Sequence, residues 1–171
     1  MKKVLAVLMV ICIALSLCGC TFLKDVADSA KIEEPKTFEF EDISIELTSR
    51  YLRMDFISED YDFIVGNEEV TVMGLKVEAE EDVFELMTVR DYAVSFQSLL
   101  EADNPTEVTE IDGIPTMQYN SYTDDGKKQT TAVMFYKGSD CFWVITFTSV
   151  TEKFDDNYSD ICKFAKSVKC K

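Results

Sequence analysis

Residues 129–137 read QTTAVMFYK and residues 141–149 read CFWVITFTS, with Gly138-Ser139-Asp140 between them. β-Branched and aromatic side chains dominate both runs and the short polar link favours a reversal, so the pair predicts an antiparallel hairpin. Val133, Phe135, Phe142 and Val144 alternate with Met134, Tyr136, Trp143, Ile145 and Phe147. Both faces of the hairpin are therefore apolar, and such strands sit centrally in a sheet with a covering layer on each side. On this reading Trp143 is a core residue.

Working outward, the neighbouring segments supply the rest of a sheet. EVTEIDGIPTMQYNSYT (107–123) holds an Asp112-Gly113 turn, and Asp124-Asp125-Gly126 makes the next reversal. Earlier, DFIV (62–65), the turn-like Gly66-Asn67 and EVTVMGLKVEA (69–79) read as another pair of strands. Alternation of Phe38 with Phe40, and of Ile43, Ile45 and Leu47, predicts a half-buried hairpin at the start, followed by an irregular stretch over 48–61. The acidic run from Glu80 to Glu85 suits one helical turn.

Two helices complete the pattern. Thr88 caps the first, with Asp91 as the acid of a capping box. Val89, Tyr92, Ala93, Phe96, Leu99 and Leu100 form its apolar stripe, and Asp103-Asn104-Pro105 ends it. The second runs from about Asp155 to Ser167, with Tyr158, Ile161, Phe164, Ala165 and Val168 on one side and Asp155 and Asp156 as its N-terminal acids. The fold class is α+β: an antiparallel sheet flanked by helices in an α/β/α sandwich.

The first residues have a different character. Lys2 and Lys3 precede Val4 to Leu17 (VLAVLMVICIALSL), a run in which only Ser16 is polar. As a helix it would reach about 21 Å, short of the roughly 30 Å hydrocarbon core, so the pattern is that of a secretory signal. Leu17-Cys18-Gly19-Cys20 resembles the lipobox of bacterial lipoprotein precursors, departing from it only in having Cys at the small position before Gly19. The resemblance implies diacylglycerol on the Cys20 thiol and cleavage after Gly19; the alternative is an ordinary secretory signal cut nearby. Two acyl chains anchor a protein stably where one is marginal. The expected organisation is a signal peptide over 1–19, a lipidated N-terminus and tether over 20–36, and one domain over 37–171. The tether's alternative is a nascent helix over Phe22 to Ile32.

Several chemistries are disfavoured. The chain has no histidine, which removes imidazole bases and imidazole metal ligands. Its net charge is −15, and loss of Lys2 and Lys3 with the signal would take it to −17. Such a field repels phosphate backbones, so nucleic acid is not an expected partner. Acids cluster at Asp60 and Asp62, at Glu80-Glu81-Asp82, at Asp124-Asp125 and at Asp155-Asp156 with Asp160. None has calcium-loop spacing, and they read as solvated surface. No catalytic, cofactor or metal residues are assigned. Cys141, Cys162 and Cys170 read as buried thiols, with Cys141–Cys162 and Cys141–Cys170 pairings both open; a bridge between 162 and 170 is too long if that span is helical. Aromatics outside the strand and helix periods, in Tyr51 to Phe63 and at Tyr119 and Tyr122, mark where a ligand or partner surface would be sought.

The order of elements carries a further resemblance. IELTSRYL closes the first hairpin, TVRDYAVSFQSLL forms the first helix, IDGIPTMQYNSY and YKGSDCFWVITFTS form strands, and FAKSVK closes the last helix. Over residues 37–171 this is similar to the PsbP-like fold family, which includes many bacterial lipoproteins. What the resemblance implies is a non-enzymatic binding or accessory module of the cell envelope, held to the extracytoplasmic face of the membrane through Cys20. The alternative is an envelope hydrolase working with carboxylates or Lys.

Overall fold

A computed structural model describes residues 33–54, 61–102 and 104–171. The signal segment, the lipobox with Cys20, the tether up to Ile32, Phe56 and Asp60 lie outside the described residues. Pro35 to Lys171 form one unit. Its strands are β1 (Pro35–Glu39), β2 (Ile43–Thr48), β3 (Leu52–Arg53), β4 (Phe63–Gly66), β5 (Val70–Glu78), β6 (Thr109–Ile111), β7 (Ile114–Tyr122), β8 (Lys128–Lys137), β9 (Cys141–Val150) and β10 (Lys169–Cys170). The helices are α1 (Glu81–Leu86), α2 (Val89–Leu99) and α3 (Thr151–Ser167).

The hairpin of β8 and β9 lies in the middle of the large sheet. β8 and β9 pair antiparallel from Gln129↔Val150 to Lys137↔Phe142. They lie inside a seven-stranded sheet of order β3-β4-β5-β9-β8-β7-β6. Trp143, Ile145 and Phe147 point to one face with Met134 and Ala132, where Phe154, Ile161 and Ala165 of α3 meet them. Val133, Phe135 and Val144 point to the other, against Ala93 of α2. Each face thus has its own core, as the two-sided apolar pattern requires.

The first hairpin does not join this sheet. β1, β2 and β10 make a separate three-stranded sheet whose Phe38, Ile43, Ile45 and Leu47 share the α3-side core. One covering layer is therefore a helix together with a small sheet. Polar contacts tie the two parts: the Ser167 hydroxyl donates to the Glu46 carbonyl at 3.0 Å and accepts from the Glu46 amide at 2.8 Å. Lys76 on β5 meets Asp42 at 2.6 Å, beside the β1–β2 turn.

Local chemistry explains several boundaries. Thr88 and Asp91 form the reciprocal capping box at the start of α2, as expected. Asp112 and Gly113 take positive φ values of 52° and 82° in the β6–β7 turn, the geometry that a tight hairpin needs. The Phe63 ring lies on Gly74, where an added Cβ would come within 2.1 Å of it. That close approach needs a residue with no side chain.

Four expectations are corrected. α3 starts at Thr151, directly after β9, so Asp155 and Asp156 sit beyond its first turn, whose acid is Glu152. Leu99 is 82% exposed, because it lies at the edge of the apolar stripe where α2 ends. Residues 48–61 are not wholly irregular, since Leu52 and Arg53 pair with Gly66 and Val65. The chain also closes on a short strand, β10, that pairs with β2.

Trp143 is 3% exposed, and its buried indole N–H meets no acceptor among the described residues, so apolar contact is what holds it. Trp143→Ala should cost about 3–5 kcal/mol, the range for emptying a large aromatic site in a core. Chemical denaturation followed by far-ultraviolet circular dichroism measures it; a loss under about 1 kcal/mol would contradict the packing described.

Candidate functional site

Two of the chain's three arginines, Arg50 and Arg53, flank Tyr51 and Leu52 just after β2. The Tyr51 amide donates to the Thr48 carbonyl at 3.1 Å, which turns the chain. Tyr51 then buries its ring edge-on to Phe164 of α3, with centroids 5.6 Å apart. This plug fixes the register of the next two residues, so that β3 lies at the free edge of the large sheet with Leu52 64% exposed. Tyr51 and Phe63, singled out as aromatics outside the core pattern, are in fact core residues. Among the described apolar residues of that stretch, the leucine between the arginines is exposed at 64% and Tyr61 at 36%.

A cleft of about 560 Å³ opens here. One wall is Arg50, Leu52, Arg53 and Met54 and the other is the β4–β5 tip at Gly66, Asn67 and Glu68. The Asn67 side-chain oxygen shapes that tip by accepting from the amides of Glu69 and Val70, each at 2.8 Å. A smaller hollow of about 210 Å³ adjoins it, with Phe40, Tyr61 and Asp62 in its lining. Arg53 forms the partition: its guanidinium lies 4.5 Å from the Phe40 ring centroid and also donates to the Glu39 carbonyl. Phe40 stacks on Phe63 at 4.0 Å, and Phe63 rests on Gly74.

The second expected region also forms a cleft. Tyr119 and Tyr122 on β7 line about 540 Å³ with Leu100, Glu101 and Ala102, just past α2. Tyr119 packs against the α2-side core, whereas Tyr122 is 61% exposed. The Gln97 side-chain amide donates to the Thr106 carbonyl at 2.5 Å and holds the connecting loop in place.

A third cleft, of about 740 Å³, carries no signal that the sequence reading used. It lies between Gly126 to Lys128 and Val150 to Glu152, where β9 passes into α3. Lys127 pairs with Asp125 at 2.8 Å, and the hydrogen bond from Lys127 is the main reason the Asp125 carboxyl is held down at about 2. Among the described residues, each of these four hollows is lined by a single carboxylate: Glu68, Asp62, Glu101 and Glu152 respectively. No group of three or more potential metal ligands comes together among the described residues.

The three described cysteines are free thiols. Burial raises the pKa of Cys141 and of Cys162, and pushes Cys170 up to about 11. The Tyr136 hydroxyl, also pushed up by burial, donates to the Ala165 carbonyl at 2.9 Å and ties α3 to β8.

No family profile and no curated protein matches the sequence. Solved structures do match. Cyanobacterial PsbP (CyanoP) from Synechocystis is similar at 13% identity and a TM-score of 0.54, over 83% of this chain and 95% of that one. A Bacteroides thetaiotaomicron protein is similar at 10% identity and a TM-score of 0.51. That match covers 80% of this chain but only 48% of the Bacteroides protein. LpqN, described as involved in cell envelope biogenesis of Mycobacterium tuberculosis, reaches 0.47 at 11% identity over 82% of this chain and 86% of that one, too loose to bear on this chain. At these identities the first two likenesses speak for the fold alone, and that fold is the PsbP-like one expected from the order of elements.

Gly74→Ala tests the support beneath the arginine cleft. The new methyl has to displace Phe63 and with it the stack on Phe40, at about 1–3 kcal/mol for overpacking. Thermal melts with near-ultraviolet circular dichroism should show both the loss and a changed aromatic signal. An unchanged melt would mean that Phe63 does not rest on Gly74.

Proposed function

We propose that the chain is a binding or accessory module of a bacterial cell envelope, anchored to the extracytoplasmic face of the membrane by diacylglycerol on Cys20. Support for the address comes from Leu17-Cys18-Gly19-Cys20 behind a basic and apolar leader. Among the described residues no helix is long and apolar enough to cross a membrane. The fold supports the module part of the reading, because it matches that of cyanobacterial PsbP.

The observation that carries the binding role is Leu52. It is a 64% exposed leucine on an edge strand, set between two arginines on a chain whose net charge is −15. An isolated exposed leucine means little. Here it stands at the mouth of a cleft beside an edge strand, which suits a partner segment carrying an apolar side chain. A hydrolase of the two-carboxylate kind needs a pair of convergent acids, and among the described residues each of the four hollows is lined by one.

Two measurements test this reading. Metabolic labelling with a fatty-acid analogue should mark the wild type and leave Cys20→Ala unlabelled and unprocessed; equal label on both would refute the anchor. Separately, a photo-crosslinking residue at position 52 in living cells should trap one dominant neighbour, and the same probe at Val94 on α2 should not. Placed at position 68 on the facing wall instead, the probe should trap the same neighbour, and Leu52→Asp should abolish that capture while changing stability by no more than about 0.5 kcal/mol, as at most surface positions. Equal capture at 52 and 94 would remove the cleft from consideration.

A further inference from the structure

We infer that Cys141 and Cys170 are a thiol pair that closes into a disulfide where the small sheet meets the large one. The inference goes beyond the binding role and does not depend on it.

Both side chains enter the same core. Cys141, the first residue of β9, is 1% exposed within the α3-side cluster, and Cys170 is partly buried against that cluster. Cys170 pairs with Ile43 of β2, which is fully buried there, and paired residues in a sheet point to the same face. The backbone then draws the two positions together. Gly138 donates to the Cys141 carbonyl at 2.8 Å, Ser139 to the Lys171 carbonyl at 3.1 Å, and Lys171 to the Asp42 carbonyl at 2.9 Å. A Cβ placed on Gly138 would lie 3.1 Å from the Cys141 sulfur and 3.6 Å from the Lys171 oxygen. The thiol of one cysteine and the backbone beside the other thus border one point.

Cys162 belongs elsewhere. It sits on α3 within electrostatic reach of Tyr158, one turn back, and of Lys166, and Lys166 itself pairs with Asp112 of the β6–β7 turn at 2.5 Å. Of the two pairings open to Cys141 on sequence, the fold favours Cys170.

The chemistry is thiol–disulfide exchange with a donor disulfide, either a small-molecule disulfide or an envelope dithiol oxidase. Cys170, the more exposed of the two, loses its proton and attacks a donor sulfur. A mixed disulfide forms and the first donor thiolate leaves. Cys141 then loses its proton and attacks the Cys170 sulfur, expelling the second donor thiolate. Two electrons pass from the cysteines to the donor, and the two protons end on the two donor thiols. Burial raises the pKa of both thiols, so closure quickens as pH rises. The new bond would join β9 to β10 and enclose α3 in a covalent loop, which restricts the unfolded chain.

The test uses the full-length chain, treated with oxidised glutathione under native conditions and digested without reduction. A peptide joining Cys141 to Cys170 is expected, with unchanged far-ultraviolet circular dichroism and a melting temperature higher by roughly 5 °C. Cys162→Ala should form the same bond, and Cys170→Ser should not. A bond that includes Cys162, stable glutathione adducts without ring closure, or thiols that stay free in folded protein at pH 9 would each overturn the proposal.

Discussion

The antiparallel ladder between β8 and β9 presents bulky apolar side chains on both faces, and neither face can be left to water. Phe135, Phe142, Met134 and Ile145 are all at most 1% exposed within it. Burying aromatic and branched side chains is worth about 25 cal/mol per Å², so an uncovered face here would forfeit several kcal/mol. Two separate cores follow, one under α2 and one under α3 with the small sheet. The Ser167–Glu46 contacts between helix and small sheet, and the bond from Tyr136 of β8 to Ala165 of α3, fix how that second cover lies on the ladder.

Much of this was legible in the chain because it is written in short-range patterns. Alternation over residues 129–149, the Asp112-Gly113 turn and the Thr88–Asp91 cap each need only neighbours in sequence to act. The start of α3 was not legible, for a physical reason. Its N-cap is Val150, which offers no side-chain hydrogen bond, so helix begins where strand ends without the usual signal. Aspartates one turn later mimic such a signal and drew the boundary to Asp155. β10 spans two residues and exists only because β2 lies beside it, so no periodicity could reveal it.

The clefts show the same division. Tyr122 was visible as an aromatic out of period, and it is exposed beside a cleft. Tyr51 looked similar in sequence and turned out to be buried, because its partner Phe164 lies more than a hundred residues away. Leu52 takes its exposure from that anchoring, so its prominence could only be seen once the fold was in hand. The hollow beside Lys127 and Val150 joins a turn to a strand–helix junction, a meeting of distant segments that leaves no local mark.

The small sheet has one more consequence, a mechanical one. β1 is one of its two edge strands, and Pro35 pairs with Thr48 at the open end of the β1–β2 hairpin. Tension arriving along the chain ahead of Pro35 reaches that end first and parts the pairs in sequence toward Glu39 and Ser44, as a zipper opens. Peeling off the five residues of β1 would release roughly 17 Å of slack at about 3.3 Å per residue. β1 would then yield before β2, which is held by Ser167 of α3 and by β10.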